Sequence, residues 1–273
     1  TRGPEYSRPF NQILEEAKYL AHNGSKEITL LGQNVNAYNF EGLRLSNLIL
    51  EIEKIPGIKR IRYTTSHPKD MTDDLIEVYK TSQKLMPLVH LPVQSGSDKV
   101  LGLMNRKHTI NEYLDTFYKL KKINSNIQFS SDFIIAYPGE NENDFKDTIK
   151  LIDEVKFINS FSFIFSPRPG TVASDLPTID KIKAQKRLEI VQQKLSNNQI
   201  NMNKSLENST VYVLVENRTK DKSKLFARSE YMTPVLFRGS DDLIGKIVKV
   251  KIYNSNRNTL FGKVIEQTNQ KVA

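Results

Sequence analysis

The strongest constraint on this chain is a repeated switch between two apolar periodicities over its first 170 residues. Phe10, Ile13, Leu14, Ala17, Leu20 and Ala21 fall on one helical face, and Asn23-Gly24 stops that helix. Residues 27–31 are a short apolar run ending in Gly32-Gln33-Asn34. The pattern then repeats. Helices are expected at 45–55, 72–79, 109–123 and 143–155, and strands at 60–65, 88–93, 127–136 and 160–165. Each strand closes on a polar or Gly/Pro turn, such as Gln94-Ser95-Gly96-Ser97 or Pro167-Arg168-Pro169-Gly170. Five strands alternating with helices specify an α/β fold of right-handed βαβ units around a parallel sheet. Ligand sites in such sheets gather at the C-terminal strand ends, so these five turns belong on one rim.

After a long charged helix over 180–207 the pattern becomes all-strand, at 211–215, 224–227, 233–237, 247–252 and 259–265. Five short strands in about sixty residues predict a small antiparallel barrel of the oligonucleotide-binding kind. The expected division is residues 1–207 and residues 208–273. Charge divides at the same place. Of the formal net charge of +9, residues 208–273 hold +6 (12 Lys and Arg against 6 Asp and Glu), and residues 1–207 hold +3 (28 against 25). A small, locally basic domain is the footprint of a phosphate-backbone binder. Arg218, Lys220, Lys222, Lys224 and Arg228 surround a predicted hairpin, with Phe226, Tyr231 and Phe237 interleaved. The cations are assigned to RNA and most of the aromatics to the barrel core; a solvated loop over that core is the alternative. No membrane partner is expected, because the longest apolar runs, such as 133–137, are too short to span a bilayer and no basic amphipathic helix is evident.

The chain contains no cysteine, which excludes disulfides, thiolate zinc sites, a cysteine nucleophile and thiolate-held clusters within it. Its four histidines, His22, His67, His90 and His108, share no metal-ligand spacing, so structural roles are expected and no metal site is assigned. A cytoplasmic location is expected. The opening Thr1-Arg2-Gly3-Pro4 has no initiator Met and no apolar segment behind its charge, and reads as cut from something longer.

Six strings in order make the strand ends specific. They are Leu30-Leu31-Gly32-Gln33-Asn34-Val35-Asn36-Ala37-Tyr38, Tyr63-Thr64-Thr65-Ser66-His67-Pro68, His90-Leu91-Pro92-Val93-Gln94-Ser95-Gly96-Ser97-Asp98, Met104-Asn105-Arg106-Lys107-His108-Thr109, Ser131-Asp132-Phe133 through Pro138-Gly139-Glu140, and Phe163-Ile164-Phe165-Ser166-Pro167-Arg168-Pro169-Gly170-Thr171. Together they resemble the MiaB-type tRNA methylthiotransferases of the radical S-adenosylmethionine (radical SAM) class, and the tail from about residue 209 resembles the TRAM RNA-binding domain. Related branches act on a ribosomal protein or on threonylcarbamoyl-adenosine; the first two strings look most like the isopentenyladenosine branch. The resemblance implies a partial (β/α)6-type barrel lacking its first strand and cluster loop, followed by a TRAM barrel. It implies methylthio addition at C2 of N6-isopentenyladenosine next to the anticodon, with S-adenosylmethionine and two 4Fe–4S clusters as cofactors. Thr1-Arg2-Gly3 looks like the residues that follow the family's three-cysteine motif. This cysteine-free chain can ligate neither cluster, so either it is a fragment of a longer protein or it is one half of a split protein whose separate N-terminal polypeptide supplies the cysteines; tRNA is the other expected partner. Alone, the chain is expected to be inactive; an RNA-binding fragment or a degenerate remnant without catalysis is the alternative.

Each candidate residue has a functional and a structural reading. Gln33 and Asn34 end the first strand where related enzymes meet the methionine amino group; a tight strand–helix turn is the alternative. Ser66, Gln94 and Ser95 can bind ribose hydroxyls or the methionine carboxylate, or cap their strands. Asp132 lies in an apolar strand and needs a basic partner or a cofactor hydrogen bond. Gly139 and Glu140 form a turn that approaches adenine or caps the next helix. Arg106 and Arg168 are forked donors for a carboxylate or phosphate, or partners in ion pairs. His67 is near enough in sequence to face the site, but nothing requires it.

Overall fold

The computed structural model describes residues 6–265. Thr1-Arg2-Gly3, likened above to a post-cluster segment, lies outside the described residues. In chain order the first part contains α1 (Phe10–His22), β1 (Glu27–Leu30), a small hairpin of β2 (Asn39–Phe40) and β3 (Leu43–Arg44), α2 (Leu45–Lys54), β4 (Arg60–Tyr63), α3 (Asp73–Thr81), β5 (Leu88–His90), α4 (Asp98–Leu103), α5 (Ile110–Ile123), β6 (Gln128–Ser130), β7 (Asp132–Ile135), α6 (Glu142–Val155), β8 (Phe161–Ile164) and α7 (Lys181–Ser205). The β2–β3 hairpin and α4 were not legible in the periodicity, being two residues a strand and less than two turns. The tail holds β9 (Thr210–Arg218), β10 (Leu225–Ser229), β11 (Pro234–Phe237), β12 (Ile247–Ser255) and β13 (Leu260–Val264).

Backbone pairing joins the first set of strands in one parallel order. β1 pairs with β4, from Glu27 opposite Arg60 to Leu30 opposite Tyr63. The Ile61 amide donates to the Lys84 carbonyl at 2.8 Å and the Met86 amide to the Ile61 carbonyl at 2.9 Å, linking β4 to the chain entering β5. β5 pairs with β6 and β7 with β8, all parallel. β6 and β7 are two halves of the single strand predicted over 127–136, broken at the fully buried Ser131. There the Ser131 hydroxyl accepts from the Val93 amide at 2.9 Å, so a side chain replaces a ladder bond. Helices cover the sheet. Ile49, Ile52, Ile58, Ile61, Val89, Leu91, Phe129, Phe133 and Ile135 pack into one core, each at 1% exposure or less. Full burial of such a side chain contributes about 1.5–3 kcal/mol.

Helix starts follow local chemistry. Thr109 accepts from the Glu112 amide while Glu112 returns a bond to the Thr109 amide, a capping box that begins α5. Asn141 and Asp144 do the same for α6. The turn after β5 is pinned to α6. The Gly96 amide donates to Thr148 Oγ1 at 2.9 Å, and Ser97 Oγ donates to Asp144 at 2.8 Å. A Cβ on Gly96 would lie 2.4 Å from the Thr148 backbone, which is why glycine stands there. α7 is held by Arg187, 3% exposed, whose guanidinium reaches Glu140 Oε1 at 2.6 Å, the Glu140 carbonyl at 3.2 Å and Glu142 at 3.1 Å.

From Gln199 onward the described residues form a second compact unit, which takes in the last turns of α7. Asn203, fully buried, donates to the carbonyls of Asn256 and Arg257 at 2.8 and 2.9 Å. The five strands close into a barrel in the order β10-β11-β13-β12-β9. The expected antiparallel barrel is corrected at one place, because β11 and β13 run parallel. A closed ring with an odd number of strands cannot alternate direction throughout, so one neighbouring pair must be parallel. Val213, Val215, Leu225, Val235, Phe237, Val250, Ile252 and Leu260 fill its interior. No helix among the described residues is long and apolar enough to cross a membrane.

Replacing Arg187 by alanine strands a buried carboxylate, and is expected to cost about 3–5 kcal/mol. Urea unfolding followed by circular dichroism checks this. The double change Glu140→Gln with Arg187→Met is expected to recover most of the loss; equal damage from both variants would show that packing, not charge, is what matters there.

Candidate functional site at the strand ends

The parallel order sends the turns after β1, β4, β5, β7 and β8 to one end of the sheet. The first two are tied together. The Val35 amide donates to the Thr65 carbonyl at 3.0 Å, and Asn36 and His67 exchange two bonds of 2.8 Å, side chain to backbone in each direction. Asn34 donates through Nδ2 to Asp70 at 2.7 Å. Its other amide atom, Oδ1, and Ser66 Oγ are buried without a hydrogen-bond partner. An orphaned buried acceptor or hydroxyl costs about 1–3 kcal/mol, so two at adjacent strand ends mark a place where a ligand atom would complete the bonding. Gln33 beside them is exposed.

Three of these turns share a backbone feature. Thr65, Gln94 and Ala136 have φ of 64°, 72° and 59°, the left-handed region that side chains with a Cβ seldom adopt. Local strain repeated at successive strand ends is characteristic of functional rims. At Gln94 neighbouring strands hold the geometry: its amide donates to the Asp132 carbonyl at 3.0 Å and its carbonyl accepts from the Ile134 amide at 2.9 Å.

Asp132 projects from β7 with its side chain one-third exposed and His90 Nε2 3.7 Å away. His90 is itself oriented by Ser130 Oγ, 2.9 Å from Nδ1. Arg106 is a cation near Asp132. Burial pulls its pKa below the usual guanidinium range, and the Asp132 charge opposes that pull. The apolar strand thus tolerates a carboxylate because two basic groups face it, and neither covers it fully. His108 lies in the same region, edge-on to His67 with ring centres 5.4 Å apart. Burial, with His67 and Arg106 beside it, lowers its pKa to about 4, so it is neutral at physiological pH.

Other candidates are placed differently. Ser95, 1% exposed, faces α6: its hydroxyl lies 3.4 Å from Thr148 Oγ1 and accepts from the Ser97 amide. Gly139 has φ of +86° and its carbonyl accepts from Lys99. The Glu140 carboxylate turns inward to Arg187 and also accepts from the Ala136 amide at 3.3 Å. Burial pushes its pKa up and Arg187 opposes the shift. Arg168 is exposed, and no described carboxylate pairs with it. Sequence reasoning did not single out Thr65, Asn36, His90 as the Asp132 partner, or Arg187. Only the lone carboxylate in an apolar strand signalled that a basic group must come from elsewhere.

A cleft of about 620 Å³ runs along β1, lined by Ile28, Leu30, Gly32 and Asn34 and by Ala17 and Leu20 of α1. It borders the edge of β1 opposite β4 and touches the rim at Gly32–Val35. Among the described residues no strand pairs with that edge. No group of three or more His, Asp or Glu suited to a metal ion occurs among them either.

In the tail hairpin, Arg218 pairs with Asp241 at 2.5 Å and Arg228 with Glu216 at 3.0 Å. Asp221 in the turn is held by Thr219 and Ser223, which keep its carboxyl at about 2. Lys220 and Lys222 are exposed, and Lys224 sits over the Phe261 ring at 5.6 Å. Phe237 and Tyr231 are buried, as assigned from the sequence, while Phe226 lies under the Arg228 guanidinium.

His108 carries a pH signature. Between about 4 and the ordinary 6.5, the unfolded chain binds a proton that the folded chain does not. The stabilisation is therefore complete above pH 6.5 and declines as pH falls toward 4. Thermal melts across that window are expected to flatten in His108→Gln; an unchanged slope would remove His108 as the cause.

The family model described as the Radical SAM superfamily matches residues 1–152, and that of the TRAM domain matches residues 204–265. A Pelagibacter ubique protein is 65% identical across all of this chain, which covers 62% of that relative. A Vesicomyosocius okutanii protein is 50% identical over 98% of the chain and 62% of its own length. Both are named tRNA-2-methylthio-N(6)-dimethylallyladenosine synthase. The chain therefore spans about 62% of the length of the curated relatives it matches. With a parallel βα sheet whose strand ends converge on one rim, and a closed five-stranded barrel after it, the chain belongs to the radical SAM superfamily and carries a TRAM domain.

Proposed function

We propose that this chain provides the S-adenosylmethionine site and the RNA-binding module of a tRNA methylthiotransferase, acting in the cytoplasm on C2 of N6-isopentenyladenosine beside the anticodon. The observation that carries this reading is the pair of unpartnered buried atoms, Asn34 Oδ1 and Ser66 Oγ, on the same rim as the half-covered Asp132. Similarity across this chain to enzymes named for that reaction, of which it spans 62%, supports the choice of substrate.

These residues suit the polar part of S-adenosylmethionine, which when bound supplies the methyl group of the product. The Asn34 carbonyl oxygen can accept from the methionine ammonium. The Ser66 hydroxyl can donate to the carboxylate or a ribose oxygen, with Gln94 beside it. Asp132 can accept from ribose hydroxyls or the ammonium, with His90 and Arg106 beside it. Gln33, the Gly139 backbone and Arg168 stand at neighbouring strand ends, where they can close over the adenine or the approaching RNA. Ser95 and Glu140 serve by fixing their turns against α6 and α7. In the tail, Lys220, Lys222 and Lys224 are available to phosphates, and Arg218 and Arg228 reach them by exchanging their carboxylate partners.

The residues do not suit an iron–sulfur cluster, because the 273 residues include no cysteine. The thiolates are assigned to protein outside these 273 residues, whether on the same chain or on another. The unpaired edge of β1, with the cleft beside it, supports that assignment: an extended segment there would satisfy its backbone groups and reach the rim at Gly32–Asn34.

Equilibrium dialysis of the 273-residue chain against labelled S-adenosylmethionine tests the cofactor reading. Asp132→Asn is expected to weaken binding by about tenfold or more, and Ser66→Ala by less. Absence of binding by the parent chain would leave only the RNA-binding reading. After iron and sulfide reconstitution the chain alone is expected to form no cluster and methylthiolate no tRNA, as read by nucleoside mass spectrometry; activity from the chain alone would refute the need for a partner.

A further inference from the structure

The outward face of β9, β12 and β13 carries a second basic and aromatic surface, away from the hairpin that the sequence pointed to. Cross-strand register assembles it. Tyr212 of β9 lies opposite Lys249 of β12, and Lys251 of β12 lies between Thr210 of β9 and Lys263 of β13. Strand alternation turns Val211, Val213, Val250, Ile252 and Gly262 inward and these residues outward. At the irregular pairing between Ile252 and Asn254, Tyr253 is presented to the same side. Tyr212 and Tyr253 are 51% and 55% exposed. Lys249 sits over the Tyr212 ring at 5.4 Å.

Charge separates this surface from the hairpin. Arg218 and Arg228 are already ion-paired, and Asp221 stands among the hairpin lysines. Lys249, Lys251 and Lys263 are exposed, and among the described residues no carboxylate pairs with any of them. Lys251 instead donates to the Asn208 carbonyl, which fixes its position on the face. The two surfaces adjoin at Phe261, outward on β13, beneath Lys224.

We infer that single-stranded RNA lies across the outer face of β9, β12 and β13, its bases stacking on Tyr212 and Tyr253 and its phosphates held by Lys249, Lys251 and Lys263. This rests on the reading that the tail binds RNA and adds where. Aromatic rings flanked by lysines on a strand face serve any base, since every base has a π face, while the lysines track the backbone.

Fluorescence anisotropy of the 273-residue chain with a labelled tRNA transcript and a short oligouridine, over a salt series, tests the placement. The triple change Lys249→Gln, Lys251→Gln, Lys263→Gln is expected to reduce the slope of log affinity against log salt by about 2, for three phosphate contacts on a single strand. Tyr212→Ala and Tyr253→Ala are each expected to weaken binding about fivefold or more with the slope unchanged, and the Phe variants to retain it. Unaltered binding in all of these, with loss of slope in Lys220→Gln, Lys222→Gln, Lys224→Gln, would overturn the placement and leave RNA binding by the hairpin intact. A parent chain with no salt-dependent affinity would overturn the RNA reading itself. Melting curves matching the parent are expected for the Lys249, Lys251, Lys263, Tyr212 and Tyr253 variants, because those side chains are exposed.

Discussion

Parallel backbone pairing is the interaction on which the rest of this molecule depends. Turns separated by tens of residues meet only because β1, β4, β5, β6–β7 and β8 run the same way in fixed register. The Val35–Thr65 hydrogen bond extends that pairing past the strands and into the rim. Where the ladder breaks, side chains take over: Ser131 receives the Val93 amide, and Thr148 receives Gly96. Positive φ at Thr65, Gln94 and Ala136 is sustained because paired or packed backbone on either side leaves no relaxed alternative.

Buried charge is handled in three ways around this frame. Glu140 is paired with Arg187 and serves structure. Asp132 is faced by His90 and Arg106 but stays partly open, which leaves an acceptor accessible. His108 gives up its charge. Desolvation acts on both Glu140 and His108; the outcome is set by which partners the fold brings within reach. The tail follows the same logic at its surface. A cation near a carboxylate is neutralised for phosphate binding until the pair opens, whereas lysines lined up beside tyrosines remain available.

Much of the architecture was legible in the residues. Five strands alternating with helices and five short strands after residue 208 were read from apolar period and turn chemistry, because both depend on neighbours in sequence. The missed elements were too short to express a period. The parallel β11–β13 pair escaped because strand direction around a closed ring is a property of the whole ring. Of the candidate site residues, Asn34, Ser66 and Asp132 carry unpartnered or half-covered polar atoms, while Ser95 and Glu140, equally prominent in their motifs, are engaged by α6 and α7. Nothing in a linear motif says which way a hydroxyl or carboxylate turns.

The sequence by itself determined the order of elements, the basic tail and the absence of any thiolate, since composition and periodicity do not depend on folding. Tertiary structure decided which side chains share a surface. Arg187 reaches Glu140 across 47 residues of chain, and Lys249 meets Tyr212 across a strand register. Those distances are set by helix packing and barrel closure, and neither is encoded in the spacing of the residues concerned.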